Sequence, residues 1–283
     1  MYGGGFIVNK DKLRCFISKK ANGNSTLSGQ LYQMFFFEKI LERISKSNYR
    51  HNIILKGGLL LSSIIGDDER ATKDMDTTLK SIPLEKENIE SIFKEILSID
   101  LKDNVTFEIL NIKDIREDDE YGGFKINIMA TMDNLKIHLV VEITTGDKIT
   151  PREIEYNYNS IFENKKISIL AYTTETIIAE KYQTIITRGI LNTRMKDFYD
   201  IYVLISKNKN MINIENLRMA IKNTFKHRKT EISVLEMQET IKEIEKDKEI
   251  KKLWKNYQIN AIYAREIKFE DLFNPLYFIT SIL

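Results

Sequence analysis

Apolar residues recur at helical spacing over residues 29–46 (GQLYQMFFFEKILERISK). Leu31, Met34, Phe35, Ile40, Leu41 and Ile44 fall on one side, and Ser28 is placed to cap the start. The pattern then shortens. NIIL at 52–55 predicts a buried strand ended by Gly57 and Gly58, and residues 59–65 predict a short helix. A strand around Asp74 to Lys80 follows, and residues 85–98 return to helical spacing through Ile89, Ile92, Phe93, Ile96 and Leu97. The centre of the chain favours strands at 105–112, 124–132, 136–143 and 167–172, with a hairpin connection at Asp133-Asn134-Leu135. From Thr173 onward the pattern is helical. Thr173 or Thr174 caps the first helix, and further amphipathic helices are predicted at 194–206, 213–226, 231–246 and 248–263. Trp254 and the aromatic-rich stretch 272–278 are candidates for the core of that helical part.

These patterns predict an α+β fold with three parts. Residues 1–28, rich in Gly, Ser, Asn and Lys, read as a flexible N-terminal arm. Residues 29–172 form a mixed α/β domain and residues 173–283 a C-terminal helical domain. There is no internal repeat and no low-complexity tract.

Composition adds constraints. The chain has 283 residues, of which 42% are hydrophobic, enough for one large core or two ordinary ones. A net charge of +2 does not by itself select nucleic acid, so any basic surface must be local. The single cysteine, Cys15, excludes an intrachain disulfide and fits a reducing compartment. No stretch reaches the roughly 18 apolar residues of a membrane span, and Met1–Lys20 lacks the apolar run of a signal peptide. The expectation is a soluble, cytoplasmic protein with no membrane partner.

The candidate chemistry begins at LKGGLLLSSIIGDDERATKDMDTTLK, residues 55–80. In a strand, residues two apart face the same way, so Asp74 and Asp76 project to one side. Two such carboxylates repel unless a cation lies between them, and Mg²⁺ commonly takes one or two carboxylates plus substrate phosphates. A bare Asp-x-Asp pair is more often a solvated, charged turn. Gly57 and Gly58, opening a helix, add backbone N–H groups that can meet phosphate, with Ser62 and Ser63 in the next turn. In KIHLVVEITTGD, Ile137, Leu139, Val141 and Ile143 form one face and Lys136, His138, Val140 and Glu142 the other. If that strand neighbours the first, Asp74, Asp76 and Glu142 converge as in a two-metal site, with Asp147 in reserve. Asp67, Asp68 and Glu69 read as loop charges. No His-x-x-His or Cys-x-x-Cys spacing points to zinc, and Cys15 has no evident base partner.

Together, ILKGGLLLSSI, KDMDTTLK, YGGFKINI, VVEITTGDKITPREIEY, AEKYQTIITRG and NTRMKDFYDIYVL resemble the AbiEii/AbiGii toxin family of nucleotidyltransferases, within the DNA polymerase beta-type superfamily. The resemblance spans residues 54 to about 206. It implies transfer of a nucleotidyl group from a nucleoside triphosphate with Mg²⁺ at a two-metal site. Gly57, Gly58 and Ser62 match the phosphate-binding motif and Asp74 and Asp76 the metal pair. Glu142 stands where many relatives carry aspartate, one methylene longer. Lys181 and Asp197 match the family's functional lysine and aspartate. On a helix Lys181, Thr184 and Arg188 share a face suited to triphosphate oxygens, with Lys181 as a point charge and Arg188 as a fork. Asp197 then orients Lys181 or Arg188, and Asp200 and Arg194 lie close in sequence.

The resemblance further implies the toxin of a bacterial type IV-like toxin–antitoxin pair, with RNA (the 3′ end of tRNA) as acceptor and a cognate antitoxin as partner. Lys222, Lys226, Arg228 and Lys229 are candidates to steer RNA. Two alternatives stand beside it: a nucleotidyltransferase acting on a small molecule, and a non-catalytic nucleotide-binding protein.

Overall fold

The computed structural model describes residues 9–66, 70, 72–115, 122–207 and 212–283. Its first element is helix α1 (Lys10–Ala21), where sequence predicted a flexible arm. The side chain of Asn9 accepts from the Lys12 N–H, and Leu13, Ile17 and Ala21, four apart, bury one narrow stripe. Apart from Phe16, half-buried against Phe162, the rest of this helix is polar or exposed, so its composition reads as loop. Residues 1–8, and Asp67, Asp68 and Glu69, lie outside the described residues.

Helix α2 (Ser25–Lys46) starts earlier than predicted, because Asn24 rather than Ser28 caps it by accepting from the Leu27 N–H. Seven strands form one mixed sheet: β1 (Ile53–Leu55), β2 (Met75–Leu79), β3 (Val105–Asp114), β4 (Gly123–Met132), β5 (Leu135–Thr145), β6 (Ile154–Asn159) and β7 (Lys166–Ala171). Their order is β3-β4-β5-β2-β1-β7-β6. The pairs β2–β5 and β1–β7 are parallel and the rest antiparallel. β6 was not predicted. It is an edge strand paired to β7 alone, and of its side chains only Tyr158 is buried. Helices α3 (Gly57–Ile65) and α4 (Lys86–Leu97) complete this unit. α2 packs on β5, β7 and α4, and α3 packs on β2. Phe35, Phe36 and Phe37 of α2 and Leu139, Val141 and Ile143 of β5 are fully buried.

The chain divides into two compact units, Met1–Asp147 with Ile154–Ala171, and Lys148–Glu153 with Tyr172–Leu283. The second is helical: α5 (Thr174–Arg188), α6 (Met195–Lys207), α7 (Ile214–His227), α8 (Val234–Lys246), α9 (Lys248–Asn260) and α10 (Phe273–Ser281). Thr173 caps α5 by accepting from the Thr176 N–H. α5 packs on α6 and α7, and the Tyr182 hydroxyl lies 2.7 Å from Thr280 Oγ1. Trp254 is buried and stacks on Tyr257. Among the described residues no helix is long and apolar enough to cross a membrane.

Candidate active site

The site in the sheet unit is built where β1 runs into α3 beside β2. Gly57 has φ +65°, in the left-handed region that favours glycine. A Cβ on Gly57 would lie 1.8 Å from Asp76 Oδ2. A Cβ on Gly58 would lie 2.5 Å from Thr72 Oγ1, and Thr72 donates to Asp74 Oδ1 at 2.9 Å. Each glycine therefore leaves room for one of the two acids: Gly57 for Asp76 directly, Gly58 for the threonine that orients Asp74. The Gly58 N–H donates to Asp76 Oδ2 at 3.3 Å, so the first N–H groups of α3 face a carboxylate.

Two further residues hold this turn. Arg70, buried, donates to the Gly58 carbonyl at 3.2 Å. Ser62, also buried, lies with its hydroxyl 3.0 Å from the Gly58 carbonyl and 2.5 Å from that of Arg70. Ser62 is thus placed against the main chain of the turn.

The non-local part of the site is a register. Parallel pairing sets Asp76 opposite Glu142, and antiparallel pairing sets Glu142 opposite Lys125 of β4. Directly opposed residues share a face, so Asp76, Glu142 and Lys125 form a row across three strands. Lys125 Nζ lies 2.8 Å from Glu142 Oε1, and Glu142 is 25% exposed, leaving the carboxylate reachable. Burial pushes the Asp76 carboxyl up to about 6, and the charges of Asp74 and Glu142 add to the rise. Lys56 and the Gly58 N–H oppose that rise without cancelling it. Asp147 is engaged elsewhere: Lys56 Nζ lies 2.8 Å from its Oδ2 and 2.7 Å from Thr144 Oγ1.

This donor set fits a divalent cation. It offers all-oxygen ligands, and a cation would offset both the burial of the Asp76 charge and its repulsion by Asp74 and Glu142. Among the described residues no three such side chains form a ready-made cage. Mg²⁺, bound through one or two carboxylates and completed by phosphate and water, does not require one.

The helical unit holds a second charged cluster. Lys181 Nζ of α5 lies 2.6 Å from Asp197 Oδ1 and 2.8 Å from Asp200 Oδ2, both on α6, and Asp200 is fully buried. Asp200 was not among the predicted site residues. Its three-residue spacing from Asp197 was visible, its pairing with Lys181 was not. Arg188 at the end of α5 is exposed, as is Arg194. Thr184 accepts from Arg228, whose guanidinium also donates to Gln183. Lys56, Arg70 and Lys125 were likewise unforeseen, since nothing in a sequence announces which lysine or arginine a distant turn or strand will meet.

No curated protein matches the chain. Among solved structures, JHP933 from Helicobacter pylori is similar at a TM-score of 0.51 and 13% identity, covering 89% of this chain and 90% of that one. A further Helicobacter pylori structure, assigned as a nucleotidyltransferase, is similar at a TM-score of 0.49 and 14% identity, covering 89% and 92%. At such identities the first likeness speaks to the fold alone. Residues 39–275 match the family described as nucleotidyl transferase AbiEii toxin, type IV toxin–antitoxin system. The glycine turn, the Asp74–Asp76 pair and the Lys181 cluster all lie within that match, and the chain belongs to the AbiEii family of nucleotidyltransferase toxins.

Proposed function

We propose that this enzyme transfers a nucleoside monophosphate from a nucleoside triphosphate to RNA, with the 3′ end of tRNA as acceptor, and that Mg²⁺ supports the transfer. The register of Asp76 with Glu142, beside Asp74, is the observation that carries the proposal. Asp74, Asp76 and Glu142 would hold the metal, which when bound polarises the α-phosphate and favours the ionised acceptor hydroxyl.

The chain's own groups have separate roles. Thr72 fixes the direction of Asp74, and the Gly58 N–H fixes that of Asp76, so the carboxylates meet the substrate already oriented. Gly57 and Gly58 keep side chains away from the turn where the triphosphate would approach, while Ser62 and Arg70 hold that turn. Lys181, held by Asp197 and Asp200, would supply a point charge to phosphate oxygens. Arg188 supplies an exposed bidentate cation to the same anions. RNA as acceptor is supported by the exposed arginines 188 and 194 on either side of the turn after α5, which could meet backbone phosphates. By family, a cognate antitoxin counters the activity in a cytoplasmic setting.

The test is direct. Purified protein is incubated with Mg²⁺, each α-labelled nucleoside triphosphate in turn, and total RNA. Label should pass to RNA from at least one triphosphate, vanish with EDTA, and vanish in Asp76→Ala. Label passing only to small molecules would replace RNA by a small acceptor, and no transfer with any triphosphate would refute the proposal.

A further inference from the structure

In the helical unit a cavity of about 500 Å³ opens between the end of α7, the start of α8 and Leu283. Its walls are apolar: Ile221, Phe225, Ile232, Val234, Met237 and Leu283. Its rim is not. Lys222 and Lys226, one turn apart on α7, and Lys229 beyond its end stand exposed along one edge, against the single acid Glu231. Val234 is 40% exposed in the first turn of α8, and its neighbour Leu235 is 64% exposed. Large apolar side chains open to solvent beside an apolar cavity mark a contact surface.

From the juxtaposition of this apolar cleft with a lysine edge, we infer a docking site for an acidic amphipathic helix of a protein partner. Helix-in-groove recognition needs an apolar trough for side chains at i, i+3 or i+4, and i+7, with complementary charge alongside. The volume accommodates several aliphatic side chains. Lys222, Lys226 and Lys229 would meet carboxylates on one flank of the partner helix. Nucleic acid fits less well. Single strands are held on exposed aromatic faces, and the one aromatic in this lining, Phe225, is 6% exposed and turned against Tyr182. The inference stands apart from nucleotidyl transfer.

The probe is a fluorescein-labelled peptide of about 18 residues with leucines at that helical spacing and glutamates elsewhere. It is compared with the same peptide bearing lysines for glutamates, with a single-stranded RNA, and with phosphatidylglycerol vesicles. Fluorescence polarisation should show saturable micromolar binding of the acidic peptide only. Val234→Asp places a carboxylate in the trough at a helix start that tolerates acids, so it should leave the melting curve unchanged and weaken binding at least about tenfold. The triple variant Lys222→Glu, Lys226→Glu and Lys229→Glu should lose the acidic peptide and gain the basic one. No saturation up to about 1 mM, equal binding of the basic peptide, or displacement of the peptide by RNA or vesicles would overturn the inference.

Discussion

Two acidic regions of the sheet unit handle charge in opposite ways. Around α2, Asp103 and Glu163 each meet a cation, while Glu38, held by the Ser160 hydroxyl and the Ile161 N–H, is pushed up by burial to about 7. Arg43 forks onto Asp103 with contacts of 2.9 and 3.0 Å, and Lys39 and Lys165 close on Glu163 at 2.8 and 2.5 Å. Burial alone would raise Asp103 and Glu163, yet their lysine and arginine partners hold both below the ordinary carboxylate range. At the β2–β5 junction, acids face acids, and Asp76 is pushed up instead. Glu38 carries its burial singly, whereas the junction gathers three carboxylates, with Lys125 on Glu142. Carboxylates gathered at one reachable place are suited to take a further cation from solution.

Removing the acids of the junction should have the largest effect. Asp74→Ala and Asp76→Ala should each lower labelled-nucleotide transfer about a thousandfold or more, roughly 4 kcal/mol of transition-state stabilisation, with little loss of stability. The matched acids should behave in the opposite way. Arg43→Ala strands Asp103 in a buried setting and should cost about 3–5 kcal/mol in urea unfolding, while the protein that remains folded still transfers nucleotide.

A smaller effect tests the sign of the contrast. Between 3.8 and about 6 the folded chain keeps the Asp76 proton that the unfolded chain has released, so this group makes stability fall as pH rises through that window. Metal-free Asp76→Asn should therefore be more stable than wild type by about 1–3 kcal/mol at pH 8, a gain that disappears towards pH 4. A mutant less stable than wild type at pH 8 would mean that the acids there are compensated after all. The smallest effect belongs to Lys125→Met. Lys125 is 43% exposed, so its pair with Glu142 should contribute no more than about 0.5 kcal/mol to chemical unfolding.

The same contrast explains what could be read from sequence. Periodicity placed α2, α5 and β5, and strand parity put Glu142 on the open face opposite Val141 and Ile143, because these depend on neighbours a few residues away. Gly57, Gly58, Asp74 and Asp76 were legible because their chemistry is packed into one short segment. What stayed hidden was long-range. No local signal sets Asp76 opposite Glu142, Lys56 on Asp147, or Asp200 on Lys181. α1 was missed because seven of its twelve residues are polar or charged, although Asn9 and the four-residue spacing of Leu13, Ile17 and Ala21 were available signals. β6 was missed because an edge strand with one buried side chain lacks alternation.

Cation binding at the β2–β5 junction is the central claim, and thermal melting at pH 8 with and without Mn²⁺, in wild type and Asp76→Asn, tests it most directly. Wild type, destabilised by its facing acids, should gain several degrees on adding the ion, and Asp76→Asn, already relieved, should gain almost nothing. Equal shifts in the two proteins, or none in either, would contradict it.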